Sequence, residues 1–179
     1  MKYISLLRGI NVSGQKKILM KDLKALYENL GFENVMTYIQ SGNVLFETKE
    51  TAIEALQQQI ADAIQKAYGF EVPVLVKTVD NLQKIFEGNI YIERYKDDVS
   101  KLYFTLLGET PDSELVDALM AMNYQPEEFY IANDTVYFYC PTGYGKTKLT
   151  NNFFEKKLKV AATTRNYKTM KKLVELAAL

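Results

Sequence analysis

Four short polar stretches carry the side chains and turns best suited to chemistry in this chain. They are Arg8 and Asn11 in RGIN, Gln40, Ser41 and Asn43 in QSGN, Gly145, Lys146 and Thr147 in GYGKT, and Arg165 and Asn166 in TRN. These are cations, amides, hydroxyls and open backbone, the groups that hold phosphate, sulfate or carboxylate. The sequence contains no histidine, which excludes Ser-His and Cys-His catalysis and removes the commonest transition-metal ligand. Its lone cysteine, Cys140, cannot close an intramolecular disulfide and is far short of a structural zinc site. The residues therefore point to anion binding, with no metal and no cofactor.

Each stretch also has a plainer reading. The loop over residues 8–17, RGINVSGQKK, can cradle an anion through Gly9, Gly14 and its cations, or it can be a solvated connector. Ser-Gly-Asn is ordinary hairpin chemistry, in which glycine supplies a positive φ, so a structural role is favoured for that turn. CPTGYGKTKL, residues 140–149, approaches a phosphate-binding loop, but Cys140 stands where that consensus needs glycine. A looser reading is an anion held by backbone amides at the start of a helix expected over 148–158, with Lys146 and Lys148 nearby. In TTRNYKT, Arg165 suits a bidentate grip on phosphate, while Asn166 can cap the helix that follows.

The elements that must position these loops occur twice. Tyr38-Ile39 and Val44 to Phe46 echo Tyr130-Ile131 and Val136 to Phe138, each pair of β-rich runs flanking a polar turn, which predicts two hairpins. Around the first hairpin stand a strand at 2–7, a helix carried by Leu19, Leu23, Leu26 and Tyr27 and stopped by Gly31, a helix from about Thr51 to Tyr68 stopped by Gly69, and a strand at 72–77. A short helix at 80–86 follows. The second half repeats the string: strand 101–107, helix 111–122, hairpin strands 128–132 and 135–139, helix 148–158, strand 160–165 and helix 167–176. Residues 76–86 also align with 164–174, matching Leu82 to Met170 and Ile85 to Leu173. The predicted class is α+β: two tandem ferredoxin-like (split βαβ) repeats, each an antiparallel sheet with helices on one face. The repeats are placed at 1–88 and 101–179, with the polar segment 89–100 as linker.

The 179 residues contain 22 basic and 22 acidic side chains, so no global field draws the protein to nucleic acid or membrane. The charge is nevertheless uneven. Residues 142–172 hold nine basic side chains against Glu155 alone, the segment best placed to meet an anion. Neither a signal peptide nor a membrane-length apolar run is visible, and the expectation is a cytoplasmic protein with no membrane partner.

Taken together, RGIN, YIQSGNV, GYGKTKL and TTRNYKT resemble the bacterial domain-of-unknown-function 1697 family, over essentially the whole chain. The resemblance implies a cytoplasmic bacterial protein and carries no activity with it. Its motifs fall on Arg8, Gly9 and Asn11, on Tyr38 and Gln40 to Asn43, on Gly143, Gly145, Lys146 and Thr147, and on Thr164, Arg165, Asn166 and Thr169. The family more typically has Arg-Ser where Lys146-Thr147 stand and Trp where Tyr167 stands, so Lys146 is a tolerated cation rather than a Walker lysine.

Three functional readings stay open. The first is binding of a phosphorylated small molecule, nucleotide or other anion. The second is a phosphate- or acyl-group hydrolase or transferase, in which Arg8, Lys146 or Arg165 stabilises charge and Asn43 positions water, by analogy with acylphosphatases of the same topology. The third is an interaction module for protein or single-stranded nucleic acid. Nucleic acid is not favoured, although Tyr3, Phe46, Tyr103 and Phe138 could offer stacking rings if exposed. Oligomeric state is not legible.

Overall fold

The computed structural model describes residues 1–50 and 52–179; Thr51, the expected start of the second helix, lies outside them. Strand β1 (Lys2–Leu7) runs between β3 (Asn43–Glu47) and β4 (Val74–Thr78), with β2 (Glu33–Tyr38) at the edge beyond β3. All three pairings are antiparallel, in the order β2-β3-β1-β4. Pro73, which has no N–H for a ladder, stands just before β4, an edge strand.

Alternation along β1 aims Tyr3, Ser5 and Leu7 at helices α1 (Met20–Asn29) and α2 (Ile53–Tyr68). Helix α1 buries Leu23 and Tyr27, α2 buries Leu56, Ile60 and Ile64, and Gly69 ends α2 in a left-handed cap. Phe46 lies at the centre of this core, with its ring centroid 4.6 Å from Phe32, 5.5 Å from Tyr27 and 5.8 Å from Tyr3. One polar pair sits inside it, Ser5 Oγ and Tyr27 Oη at 2.7 Å, and burial pushes the Tyr27 phenol well above its usual range. Tyr27→Phe is expected to cost about 1–2 kcal/mol, because Ser5 is left in the core with only a longer bond to the Val44 carbonyl. The urea midpoint reads this, and adding Ser5→Ala should recover part of the loss.

The second half builds the same sheet. Strand β5 (Leu102–Leu107) lies between β7 (Thr135–Tyr139) and β8 (Ala162–Asn166), with β6 (Glu128–Ala132) at the edge, giving β6-β7-β5-β8. Helices α5 (Ser113–Met120) and α6 (Asn151–Leu158) cover one face, enclosing Leu119, Phe138, Phe154 and Leu158. The chain is thus α+β with two ferredoxin-like repeats. By contact it divides into a first unit, Met1–Gln83 with Leu176–Leu179, and a second, Lys84–Glu175. Helix α3 (Val79–Glu87) carries the chain from one to the other, and α7 (Tyr167–Ala177) closes it.

Beyond shifts of one or two residues at the ends of elements, two features depart from expectation. The 89–100 segment contains a short helix, α4 (Tyr91–Arg94), docked on the sheet face opposite α5 and α6. There Tyr95 stacks flat on Tyr139, centroids 3.7 Å apart, and Tyr91 meets Tyr130 edge-on at 5.4 Å. Burial pushes the Tyr91 and Tyr137 phenols up to about 12. An acid whose folded pKa is raised stabilises below its unfolded value, so this contribution is complete below pH 10 and is lost as pH rises through about 12. Alkaline unfolding should therefore steepen over that window, and Tyr91→Phe with Tyr137→Phe should flatten it. The second departure concerns α6, which starts at Asn151 rather than 148, because Thr150 accepts from Phe153 N and supplies the cap.

The stacking-ring reading is overturned for three of its four residues. Tyr3, Phe46 and Phe138 lie on the helix-covered faces and are buried, since the apolar face of a sheet this small is its core. Tyr103 is half-buried, stacks on Phe138 and meets Tyr144 at a tilt.

Candidate functional site

Register decides which polar loops meet. In the first sheet Leu6 stands opposite Asn43 and Leu7 opposite Val74. The loop leaving β1, the turn entering β3 and the chain entering β4 therefore share one sheet end. Leu7 N donates to the Gly42 carbonyl at 2.8 Å and Arg8 N to the Pro73 carbonyl at 3.0 Å. Close approach explains Gly42: its φ is +79°, and a Cβ there would lie 2.7 Å from Leu7 Cβ and 2.8 Å from Ile10 Cδ1.

The 8–17 loop is a folded object rather than a loose connector. Ser13 and Gly14 both have positive φ, 50° and 74°, and Gln15 N donates to the Val12 carbonyl at 2.9 Å, the geometry of a tight two-residue reversal. Asn11, itself at φ 55°, holds the loop down. Its Nδ2 donates to the carbonyls of Ile18 and Gln40, each at 2.9 Å, and its Oδ1 accepts from Ile18 N at 2.9 Å. One side chain thus joins the loop, the approach to α1 and the hairpin turn. Lys16 Nζ donates to the Glu71 carbonyl at 2.6 Å and ties the loop to the approach to β4.

Arg8, Asn11, Gln40, Ser41 and Asn43 are brought together at this end. Arg8 and Ser41 are half-buried, Gln40 is exposed and Asn43 is buried. Asn43 Nδ2 donates to the Tyr38 carbonyl at 3.0 Å and to Ser41 Oγ at 2.9 Å. Both its amide hydrogens are committed to the turn, which leaves none to position water as the acylphosphatase analogy requires.

In the second unit the remaining candidates gather where β5 begins, since Leu102 pairs with Tyr139 and Tyr103 with Asn166. Gly143, at φ +88°, opens a 3-10 turn over Tyr144–Lys146. Gly145 and Lys146 are exposed, and buried Thr147 accepts from Leu149 N through Oγ1 at 3.0 Å. All three precede the Thr150 cap, so none lies in the first turn of α6 as a phosphate-binding loop would place them. Asn166 Oδ1 accepts from Thr169 N at 2.8 Å and caps α7.

Arg165 lies on the β8 backbone opposite Phe104, and its Nη1 donates to Thr163 Oγ1 at 3.0 Å and the Thr164 carbonyl at 2.9 Å. Burial pulls its guanidinium down to about 10, opposed by the neighbouring Tyr144 phenol, so it stays charged near neutrality. One residue was missed. Lys77, 8% exposed, lies opposite Ile4 as Arg165, also 8% exposed, lies opposite Phe104. The 76–86 to 164–174 alignment pairs these two cations, and that was the available signal. Among the described residues no cluster of metal ligands occurs, and no helix is long and apolar enough to cross a membrane.

Comparison with known proteins gives the fold a relative and the chain a family. A conserved bacterial protein from Streptococcus pneumoniae, SP0830, superposes with a TM-score of 0.79 over 99% of this chain and 98% of its own, at 22% identity, a likeness of fold. No curated protein matches in sequence. The profile of a protein family of unknown function, DUF1697, matches residues 1–137. With that match over most of its length, the chain belongs to the DUF1697 family.

Proposed function

We propose that the protein binds a phosphorylated small molecule, a nucleotide or a similar anion in the cytoplasm, at the end of the first sheet. The observation that carries this reading is the meeting of the β1 loop with the hairpin turn, bound together by the Asn11 side chain. Arg8, Gln40 and Ser41 supply the contacts, and Asn11 and Asn43 hold the backbone from which they project. Residues 8–17 contain Arg8, Lys16 and Lys17 and no acid, so the loop carries positive charge toward its ligand. Gly145, Lys146, Thr147, Arg165 and Asn166 form a second anion-holding set within the second unit. Neither set contains a histidine base, and the function proposed is binding.

A thermal-shift panel tests this, with inorganic phosphate, nucleotides, sugar phosphates and polyphosphate at low and high salt, on wild type, Arg8→Ala and Arg165→Ala. A ligand at a hundred times its dissociation constant adds about 2.7 kcal/mol. The expected result is a salt-resistant rise in Tm with one phosphorylated compound, lost in Arg8→Ala. Loss only in Arg165→Ala would move the principal site to the second unit. Shifts with polyanions alone, at low salt alone, would contradict a specific site.

A further inference from the structure

Three exposed aliphatic residues stand next in the chain to the residues joined by the Asn11 clamp, and two of them, Leu19 and Ile39, break a local rule. Val12 follows Asn11 and is 58% exposed, Leu19 follows Ile18 and is 71% exposed, and Ile39 precedes Gln40 and is 47% exposed. Since Asn11 bonds the backbone of Ile18 and Gln40, these residues come from three chain segments fastened at one point. Leu19 occupies the N-cap of α1, where serine, threonine, aspartate or asparagine would accept from the helix and leucine makes no such bond. Ile39 is β-branched yet held at φ 49°, a strained backbone for that side chain. Val12 places an isopropyl group in water beside a two-residue reversal. None of the three gains burial in return, and rules broken together without a folding benefit mark surfaces kept for another purpose.

We infer that Val12, Leu19 and Ile39 form a docking surface for a partner protein segment in which aliphatic side chains alternate with carboxylates. The charge fits an acidic partner, because residues 8–22 include Arg8, Lys16, Lys17 and Lys21 against Asp22 alone, with Lys17 and Lys21 exposed. An aliphatic centre with a charged rim is the usual anatomy of a protein interface. Single-stranded nucleic acid would need aromatic rings to stack its bases, and membrane-surface segments rely on Trp or Phe; this patch is made of Val, Leu and Ile. The inference goes beyond the anion reading, since it requires the charge of the loop and not a phosphate site.

The test is a 15N NMR titration of the full chain with a capped hexapeptide alternating glutamate and leucine. A glutamate-serine hexapeptide, phosphatidylglycerol vesicles and inorganic phosphate form parallel arms. The expected result is at least tenfold tighter binding of the glutamate-leucine peptide than of the glutamate-serine peptide, with shifts centred on Val12, Leu19 and Gln40. The variant combining Val12→Ser, Leu19→Ser and Ile39→Asn should lower that affinity to the glutamate-serine level while its Tm stays at or above that of wild type, so lost binding cannot be lost folding. Equal affinity for the two peptides, no binding of either, or binding of vesicles without peptide would each overturn the inference. The phosphate arm separates the two readings: phosphate without peptide discrimination removes only this one, and peptide discrimination without phosphate removes only the anion site.

Discussion

Gly42→Ala is expected to destabilise the protein by about 3–4 kcal/mol, combining left-handed strain with overpacking. The added methyl would lie 2.7 Å from Leu7 Cβ and 2.8 Å from Ile10 Cδ1, both belonging to buried residues. Relief requires moving β1 or the loop after it, which also pulls on the bond from Leu7 N to the Gly42 carbonyl. Urea unfolding measures the loss, and the ligand response should fall with it because the β1 loop and hairpin turn no longer meet. Gly145→Ala is the matched control. Nothing lies within 4 Å of its would-be Cβ and its φ is not in the left-handed region, so it should change stability by less than about 0.5 kcal/mol. Equal effects at the two glycines would mean that the sheet end is not packed as described.

Asn11→Ala should cost about 2–3 kcal/mol, from three lost side-chain hydrogen bonds and an alanine forced to positive φ. Asn11→Gly separates the causes. Glycine accepts a φ of 55° freely, so it should recover about 1 kcal/mol of the loss while leaving the loop, the hairpin turn and the start of α1 unfastened. Hydrogen exchange at Ile18 N, the donor to Asn11 Oδ1, should quicken in both variants. Protection retained in Asn11→Gly would show that the loop holds itself.

Much of the fold was legible because its signals are local. Strands β6 and β7 fall on the expected residues, Gly31 and Gly69 mark the ends of α1 and α2, and Pro73 marks an edge. Helix α4 is hidden because four residues are too few to show a period, and Tyr91 and the Tyr95 that follows it lie in a segment that otherwise reads as polar linker. The start of α6 lies three residues later than the expected 148, where Thr150 holds the capping signal. The candidate site stands out in the sequence by its residue types and not by its grouping. Arg8, Asn11 and Gln40 meet through the pairing of Leu6 with Asn43, a register that spacing along the chain does not reveal. Nor does residue type separate a side chain offered to a ligand from one spent on the backbone, and Asn11 and Asn43 are both of the second kind.

The proposed anion site is tested most directly by titrating 15N-labelled wild type and Arg8→Ala with inorganic phosphate and a short series of phosphate monoesters at physiological salt. The account predicts saturable shifts at Gly9, Asn11 and Gln40 to Asn43 in wild type, reduced at least tenfold in affinity by Arg8→Ala. Shifts absent from those amides, or unchanged in Arg8→Ala, would contradict it.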